Sequence, residues 1–218
     1  DGLGGLSLGE VASGNVILAF DKWFKEQFMA PGAEWTGESI RNSWEDIIYS
    51  MNQKIKEYGA SQGVEMGTTI TTVLFLKDKY YAIHVGDSRL YELSDGCRQI
   101  TEDQTLIARE LAQGIITKEQ ALTDSRRNVL LQCIGVTQKL LPAFYSGNIN
   151  GEAAYLVCSD GFRHVITPDE IYQLCRPLQN LTQKVMQVNL TSLVERVKQR
   201  GERDNISAVL IQVGRETC

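Results

Sequence analysis

Apolar residues recur at helical spacing through residues 8–28, where Val16, Phe20, Trp23 and Phe24 fall on one side. Pro31 and Gly32 interrupt that pattern. A clearer stripe follows. Ile40, Trp44, Ile47, Ile48, Met51, Ile55 and Tyr58 form one continuous apolar face, and Gly59 and Gly63 are expected to end this helical region. The aromatic residues of both stripes read as core. Beyond Gly63 the texture changes. "TTITTVLFL", "KYYAIHVG" and "SRLYELSDG" are β-branched and aromatic runs punctuated by Asp and Gly, which predicts three consecutive strands with turns at "KD" and "GD".

Residues 102–123 return to a helical pattern, with a break inside "GIITKEQA" and Thr117 as a cap. "LLPAFYSGNI" and "AAYLVCSDG" read as strands. "TPDE" then offers Thr167 as N-cap, Pro168 at the first helical position and Glu170 at the third, a capping-box arrangement. Residues 181–200 form another helix, and "NISAVLIQVG" is a closing strand. Consecutive strands joined by tight turns favour antiparallel sheets with helices packed outside. A dinucleotide-binding fold is disfavoured, because Ser7 in "GLGGLS" spoils the glycine fingerprint.

The 218 residues suit one ordinary domain, and 43% hydrophobic with 22% charged residues is a globular composition. The net charge of −5 comes with no basic run, which excludes nucleic acid as a natural partner. No apolar run approaches the ~20 residues of a membrane span. No signal peptide is visible, and the expected location is the cytoplasm. Cys97, Cys133, Cys158 and Cys175 read as reduced, mostly buried small hydrophobes, with Cys218 in the tail, because no pair has metal-site spacing. Only two histidines are present. His84, inside an apolar strand, reads as core.

Four stretches place an Asp beside glycine or asparagine at a strand end: "DGLGG" at 1–5, "VGDSR" at 85–89, "CSDGF" at 158–162 and "GERDN" at 201–205. Each alone is an ordinary turn signature. As a set they suggest more. The apolar run "YLVCSDG" delivers Asp160 at its end, and Asp204 is expected to open the final strand beside Asn205, whose amide can orient a carboxylate. Converging aspartates repel unless positive charge cancels them, and no Lys or Arg cluster accompanies these motifs. Hard divalent cations would serve. An all-oxygen donor set suits Mg²⁺ or Mn²⁺ rather than zinc. Two such ions would activate a water and clamp a phosphoryl group in line.

The chain resembles the PP2C-type metal-dependent serine/threonine protein phosphatases, the bacterial branch in particular. The resemblance rests on "DGLGG…GEVAS", "MGTTITTVLF", "HVGDSRLYEL", "QITEDQT", "RRNVLLQCIG", "YLVCSDGF" and "GERDNISAVLI", in family order over nearly the whole chain. It implies an α+β fold, a four-layer α-β-β-α sandwich of two packed antiparallel sheets flanked by helices, with a binuclear metal centre. On this resemblance Asp1 is the bridging aspartate, Gly2 a carbonyl ligand, Asp160 and Asp204 the second-metal aspartates, Asn205 a supporting residue, and Asp87 a ligand of a weak third metal. Residues 105–128 correspond to a flap beside the active site, within a single domain over 1–218. The implied activity is hydrolysis of phosphoserine and phosphothreonine on proteins by a metal-activated water. The implied cofactors are two Mn²⁺ or Mg²⁺ ions, and the implied partners are phosphoprotein substrates opposed by a Ser/Thr kinase in bacterial signalling.

The chain also departs from the family. In relatives an upstream strand region supplies an acidic residue and a phosphate-gripping arginine; this sequence opens inside the first motif, and such a region is expected ahead of Asp1. Leu3 stands where relatives carry His or Met, and Gln104 where "DH" is usual. His164 stands where a polar residue helps the third metal, and it reads as a half-exposed helix residue rather than a ligand. These departures leave an alternative: a pseudophosphatase acting as a binding or regulatory module with a weakened metal site.

Overall fold

In the computed structural model of the chain, which describes residues 1–3, 8–149, 151–176 and 182–214, the first apolar stripe becomes helix α1 (Gly9–Trp23). The expected helix to residue 28 does not stay α-helical: Phe24–Phe28 form a π-helical turn. The wider turn stacks Phe24 on Phe28, with centroids 5.3 Å apart, and leaves the Phe28 carbonyl to accept from the Trp35 indole at 3.2 Å. Helix α2 (Gly37–Gln62) starts at a Thr36–Ser39 capping box and buries Ile40, Trp44, Ile48, Met51 and Ile55 along one face. Each such side chain contributes about 1.5–3 kcal/mol when fully removed from water. Gly63, at φ +67°, ends the helix as expected, whereas Gly59 stays inside it. The chain folds back there, Val64 N–H donates to the Gly59 carbonyl at 3.0 Å, and a Cβ on Gly59 would sit 2.7 Å from the Val64 oxygen.

The strands are β1 (Ile70–Leu76), β2 (Lys79–Val85), β3 (Arg89–Leu93), β4 (Cys97–Gln99), β5 (Ala143–Asn148), β6 (Ala153–Cys158) and β7 (Ala208–Val213). They form two antiparallel sheets, ordered β1-β2-β5 and β4-β3-β6-β7. The helices between them are α3 (Leu106–Ala112), α4 (Lys118–Thr123), α5 (Asp160–Arg163), α6 (Pro168–Cys175) and α7 (Gln183–Gln199). The α+β expectation of two antiparallel sheets with helices holds. The Thr167 capping box forms as read, with Pro168 in the first turn, and Thr117 caps α4 as read, there within a full capping box with Gln120. Two short elements were not expected. Strand β4 completes a hairpin with β3, pairing Leu93 with Cys97, and α5 is a single turn that opens at Asp160 itself.

By contacts the chain divides into two units. The first comprises Asp1–Leu74, Tyr81–Asp87 and Asp103–Ser146. Trp23 and Trp44 anchor its core, with ring centroids 5.7 Å apart. His84 lies fully buried in it, as expected, with its ring satisfied: Nε2 donates to the Gly86 carbonyl at 2.9 Å, and Nδ1 lies 2.8 Å from the Thr71 hydroxyl. In segment 105–128, α3 and α4 are tied by Arg126, which grips Glu110 and Asp124 at once.

The second unit comprises Phe75–Tyr80, Ser88–Glu102 and Gly147–Cys218. Its core joins Tyr91, Leu93, Leu156 and Cys158 of the sheet to Phe162, Ile171, Cys175, Leu193 and Val197 of α5, α6 and α7. Register runs from Arg89 opposite Cys158 to Leu93 opposite Ala154, and from Ala153 opposite Val213 to Cys158 opposite Ala208. Cys97, Cys133, Cys158 and Cys175 are all free thiols, and burial pushes Cys133, Cys158 and Cys175 up to about 12, where they are unreactive. Cys218 lies outside the described residues, as do Gly4 and Gly5 of the opening motif.

Candidate metal-binding site

In the first unit, Asp1–Leu3 pair antiparallel with Gly67–Thr69 just ahead of β1. Gly2 is bridged to Thr68, and Leu3 N–H donates to Gly67 at 3.0 Å. The Asp1 carbonyl accepts twice, from Thr69 N–H at 2.8 Å and from the Thr68 hydroxyl at 2.6 Å. Gly2 packs against the backbone of Gly9 at the head of α1, too closely for any side chain. The backbone that would present the Gly2 carbonyl is therefore fixed on both sides. Asp87 is buried at the end of the β2 turn. Its neighbour Gly86 is pinned by Gln104, whose side-chain oxygen accepts Gly86 N–H at 2.9 Å and whose own N–H donates to the Gly86 carbonyl at 2.8 Å. Gln104, read from sequence only as a departure, thus sets the backbone next to Asp87.

In the second unit, β6 runs into the single turn α5, so Asp160 and His164 lie one turn apart on the same face. Asp160 Oδ1 accepts from Gly161 N–H at 2.7 Å, and Oδ2 lies 3.5 Å from His164 Nε2. Asp204 does not open the last strand as expected; β7 begins at Ala208. The Ser159 hydroxyl occupies the intervening ladder positions, donating to the Asn205 carbonyl at 3.1 Å and accepting from Ser207 N–H at 3.1 Å. Asp204 is exposed on that loop, and Asn205 orients it through its backbone N–H, 2.7 Å from Asp204 Oδ1. Gly161 seats the two motifs together: a Cβ there would lie 2.5 Å from the Asn205 oxygen and 3.1 Å from the Asp204 Cβ.

His164 is more enclosed than a half-exposed helix residue, with 13% of its side chain accessible. Its Nδ1 lies 3.2 Å from Glu202 Oε2. Glu202 was not singled out in the sequence, although it stands two residues before Asp204 in the quoted motif. Its Oε1 accepts from Arg203 N–H at 2.8 Å and Asp204 N–H at 2.9 Å. Burial pushes its carboxyl up, but those two N–H groups together with His164 outweigh burial and hold it below its ordinary value.

Within neither unit, among the described residues, do three His, Cys, Asp or Glu side chains gather closely enough to hold a metal ion by themselves. The donor chemistry of each unit nevertheless suits Mg²⁺ or Mn²⁺: carboxylates at Asp1 and Asp87 with a backbone carbonyl at Gly2 in the first, and carboxylates at Asp160 and Asp204 in the second. At Gly2 and at Gly161 the space a side chain would need is taken by backbone of the same unit, Gly9 in the first and Asn205 in the second. Among the described residues no helix is long and apolar enough to cross a membrane.

No protein-family model matches the chain. Single relatives do. The chain is 29% identical over 215 residues to the serine/threonine phosphatase stp of Listeria innocua, covering 97% of this chain and 82% of the relative. The chain is a homologue of the bacterial PP2C-type phosphatases. The fold agrees. The crystal structure of the serine/threonine phosphatase Stp1 from Staphylococcus aureus superposes with a TM-score of 0.86 at 24% identity, over 98% of this chain and 81% of that one. The catalytic domain of the phosphatase PstP, solved in complex with two manganese ions, gives a TM-score of 0.77 at 26% identity, over 97% and 84%.

Proposed function

We propose that this chain is a protein serine/threonine phosphatase that depends on Mn²⁺ or Mg²⁺. It would act in the bacterial cytoplasm on phosphoproteins that a Ser/Thr kinase produces. One observation carries the reading: a chain similar over nearly its full length to a named phosphatase also packs its Asp160 and Asp204 motifs together at Gly161. Asp1, Asp160 and Asp204 would hold the two ions by carboxylate and Gly2 by its carbonyl, with Asp87 serving a weaker third ion. When bound, the ions would supply positive charge to the phosphoryl oxygens and acidify a water. The chain's own part is to fix the backbone and side chains that carry these ligands: Thr68 and Thr69 hold the Asp1 carbonyl beside Gly2, Gln104 holds the Gly86 backbone next to Asp87, and the Asn205 N–H turns the Asp204 carboxylate. Residues 1–218 would form one phosphatase domain, with 105–128 as its flap. The pseudophosphatase alternative gains no support from relatives named as phosphatases.

The test is phosphate release from phosphothreonine and phosphoserine peptides with Mn²⁺, with EDTA as control. Turnover should need the metal, and Asp160→Asn or Asp204→Asn should abolish it while the circular dichroism spectrum is unchanged. Near wild-type turnover in either variant would sink the ligand assignment. Equal rates with and without EDTA would sink the metal-dependent reading.

A further inference from the structure

The pairing of His164 with Glu202 does not follow from the phosphatase reading, yet it touches the Asp160 carboxylate and the backbone of Asp204. The imidazole is wedged between Asp160 and Glu202, with Nε2 3.5 Å from the first and Nδ1 3.2 Å from the second. Glu202 in turn accepts the backbone N–H of Asp204 at 2.9 Å and of Arg203 at 2.8 Å. A continuous path therefore runs from the Asp160 carboxylate through one ring and one carboxylate to the backbone that carries Asp204. All three side chains are largely enclosed: 13% of Asp160, 13% of His164 and 12% of Glu202 is accessible. Enclosure makes the path tighter than a surface pair would be.

We propose that His164 and Glu202 are positioning residues that fix Asp160 and Asp204 relative to each other for metal binding. The inference rests on the metal-dependent reading above and deepens it. The Gly161 contact sets how close the two motifs can come, since a backbone oxygen and the Asp204 Cβ lie against it. That contact leaves the rotation of the Asp160 carboxylate open. One Asp160 oxygen is turned toward Gly161 N–H, and the His164 ring stands against the other. Glu202 fixes the second motif by grasping two successive N–H groups in the 203–204 turn. A ligand carboxylate held from behind loses less conformational freedom when a cation arrives, which is how outer partners strengthen metal sites. An imidazole follows the first motif and a carboxylate stands inside the second, each suited to bond the other.

The experiment measures Mn²⁺ affinity by titration calorimetry on the whole chain and, separately, the urea midpoint of the metal-free chain. His164→Ala and Glu202→Gln should each weaken Mn²⁺ binding on the order of 10-fold or more. The double variant should lose about as much as either single one, because both break one path. His164→Gln, which can still donate to a carboxylate, should recover part of the loss. The urea midpoint of Glu202→Gln, which keeps the volume of the side chain, should move little. Wild-type Mn²⁺ binding with both single variants inside twofold of it would overturn the positioning role and leave the phosphatase reading standing. Losses that multiply in the double variant would overturn it too. A wild-type chain that binds no Mn²⁺ would overturn the metal reading, and this inference with it.

Discussion

Replacing Gly161 with alanine tests the close packing on which the second-unit site depends. The added Cβ would meet the Asn205 carbonyl oxygen at 2.5 Å, the Asp204 Cβ at 3.1 Å and the Asn205 carbonyl carbon at 3.3 Å. Carbon contacts become ordinary from about 3.4 Å, so the 204–205 turn must retreat by roughly 0.9 Å. Two of the three obstacles are backbone, so no rotamer change relieves the clash. Overpacking of this kind costs about 1–3 kcal/mol of stability. Alanine gains up to about 1 kcal/mol over glycine inside a helical turn, so the net loss should be modest. Function should fall much further, because a displacement of about 1 Å at a positioned group can cost on the order of 100-fold in rate.

The expected result is therefore a split: a urea midpoint only slightly lowered, with Mn²⁺ affinity and Mn²⁺-dependent phosphate release reduced on the order of 100-fold. Gly14→Ala is the control. It lies in α1 with nothing within 4 Å of its added Cβ, so it should stabilise by about 0.5–1 kcal/mol and leave Mn²⁺ affinity unchanged. If Gly161→Ala binds Mn²⁺ and turns over like the wild type, the Asp160 and Asp204 motifs do not act through their packing at this glycine.

Two further outcomes follow from the second unit and from the head of the chain. Glu170 accepts from Arg200 on both oxygens, from Thr167 N–H and from Arg196, and Arg200 above all holds its carboxyl well below the usual range. A depressed carboxyl stabilises the fold at neutral pH and loses that contribution as acid is added, starting near the unfolded value of about 4.3. Glu170→Gln should thus lower the urea midpoint at pH 7, by an amount that shrinks toward pH 3; an equal deficit at both would refute the assignment. At the head of the chain, Gly2 opposite Thr68 places the position before Asp1 opposite Ile70. Strand β1 is the edge of its sheet among the described residues, and a groove beside it is walled by Ile17, Phe20 and Phe24. Residues joined ahead of Asp1 should continue this ladder and slow hydrogen exchange at alternate β1 amides, and unchanged exchange would count against the pairing.

What the sequence made legible, and what it hid, divides along physical lines. Helix α2 could be read because seven apolar residues repeat with one period and a left-handed Gly63 closes it, all local signals. The Thr167–Pro168–Glu170 cap was legible for the same reason. Gly59 was misread as a terminator because what keeps it glycine is the returning Val64 carbonyl, a contact no local pattern records. Strand β4 is three residues long, too short for a period, and exists because β3 offers it a partner. The start of β7 moved from Asp204 to Ala208 because one hydroxyl, Ser159, replaces ladder bonds from 48 residues away in sequence. The site shows the same split more sharply. Asp160 and Asp204 announce themselves, since Asp beside Gly or Asn at the end of an apolar run is conspicuous. His164 and Glu202 do not, since a histidine and a glutamate 38 residues apart mean nothing until the turn of α5 and the 203–204 turn face each other. Residues that could bind a ligand are conspicuous by type. Residues that aim them are ordinary by type and distinguished only by place, so the aiming layer of a site is the part that needs coordinates.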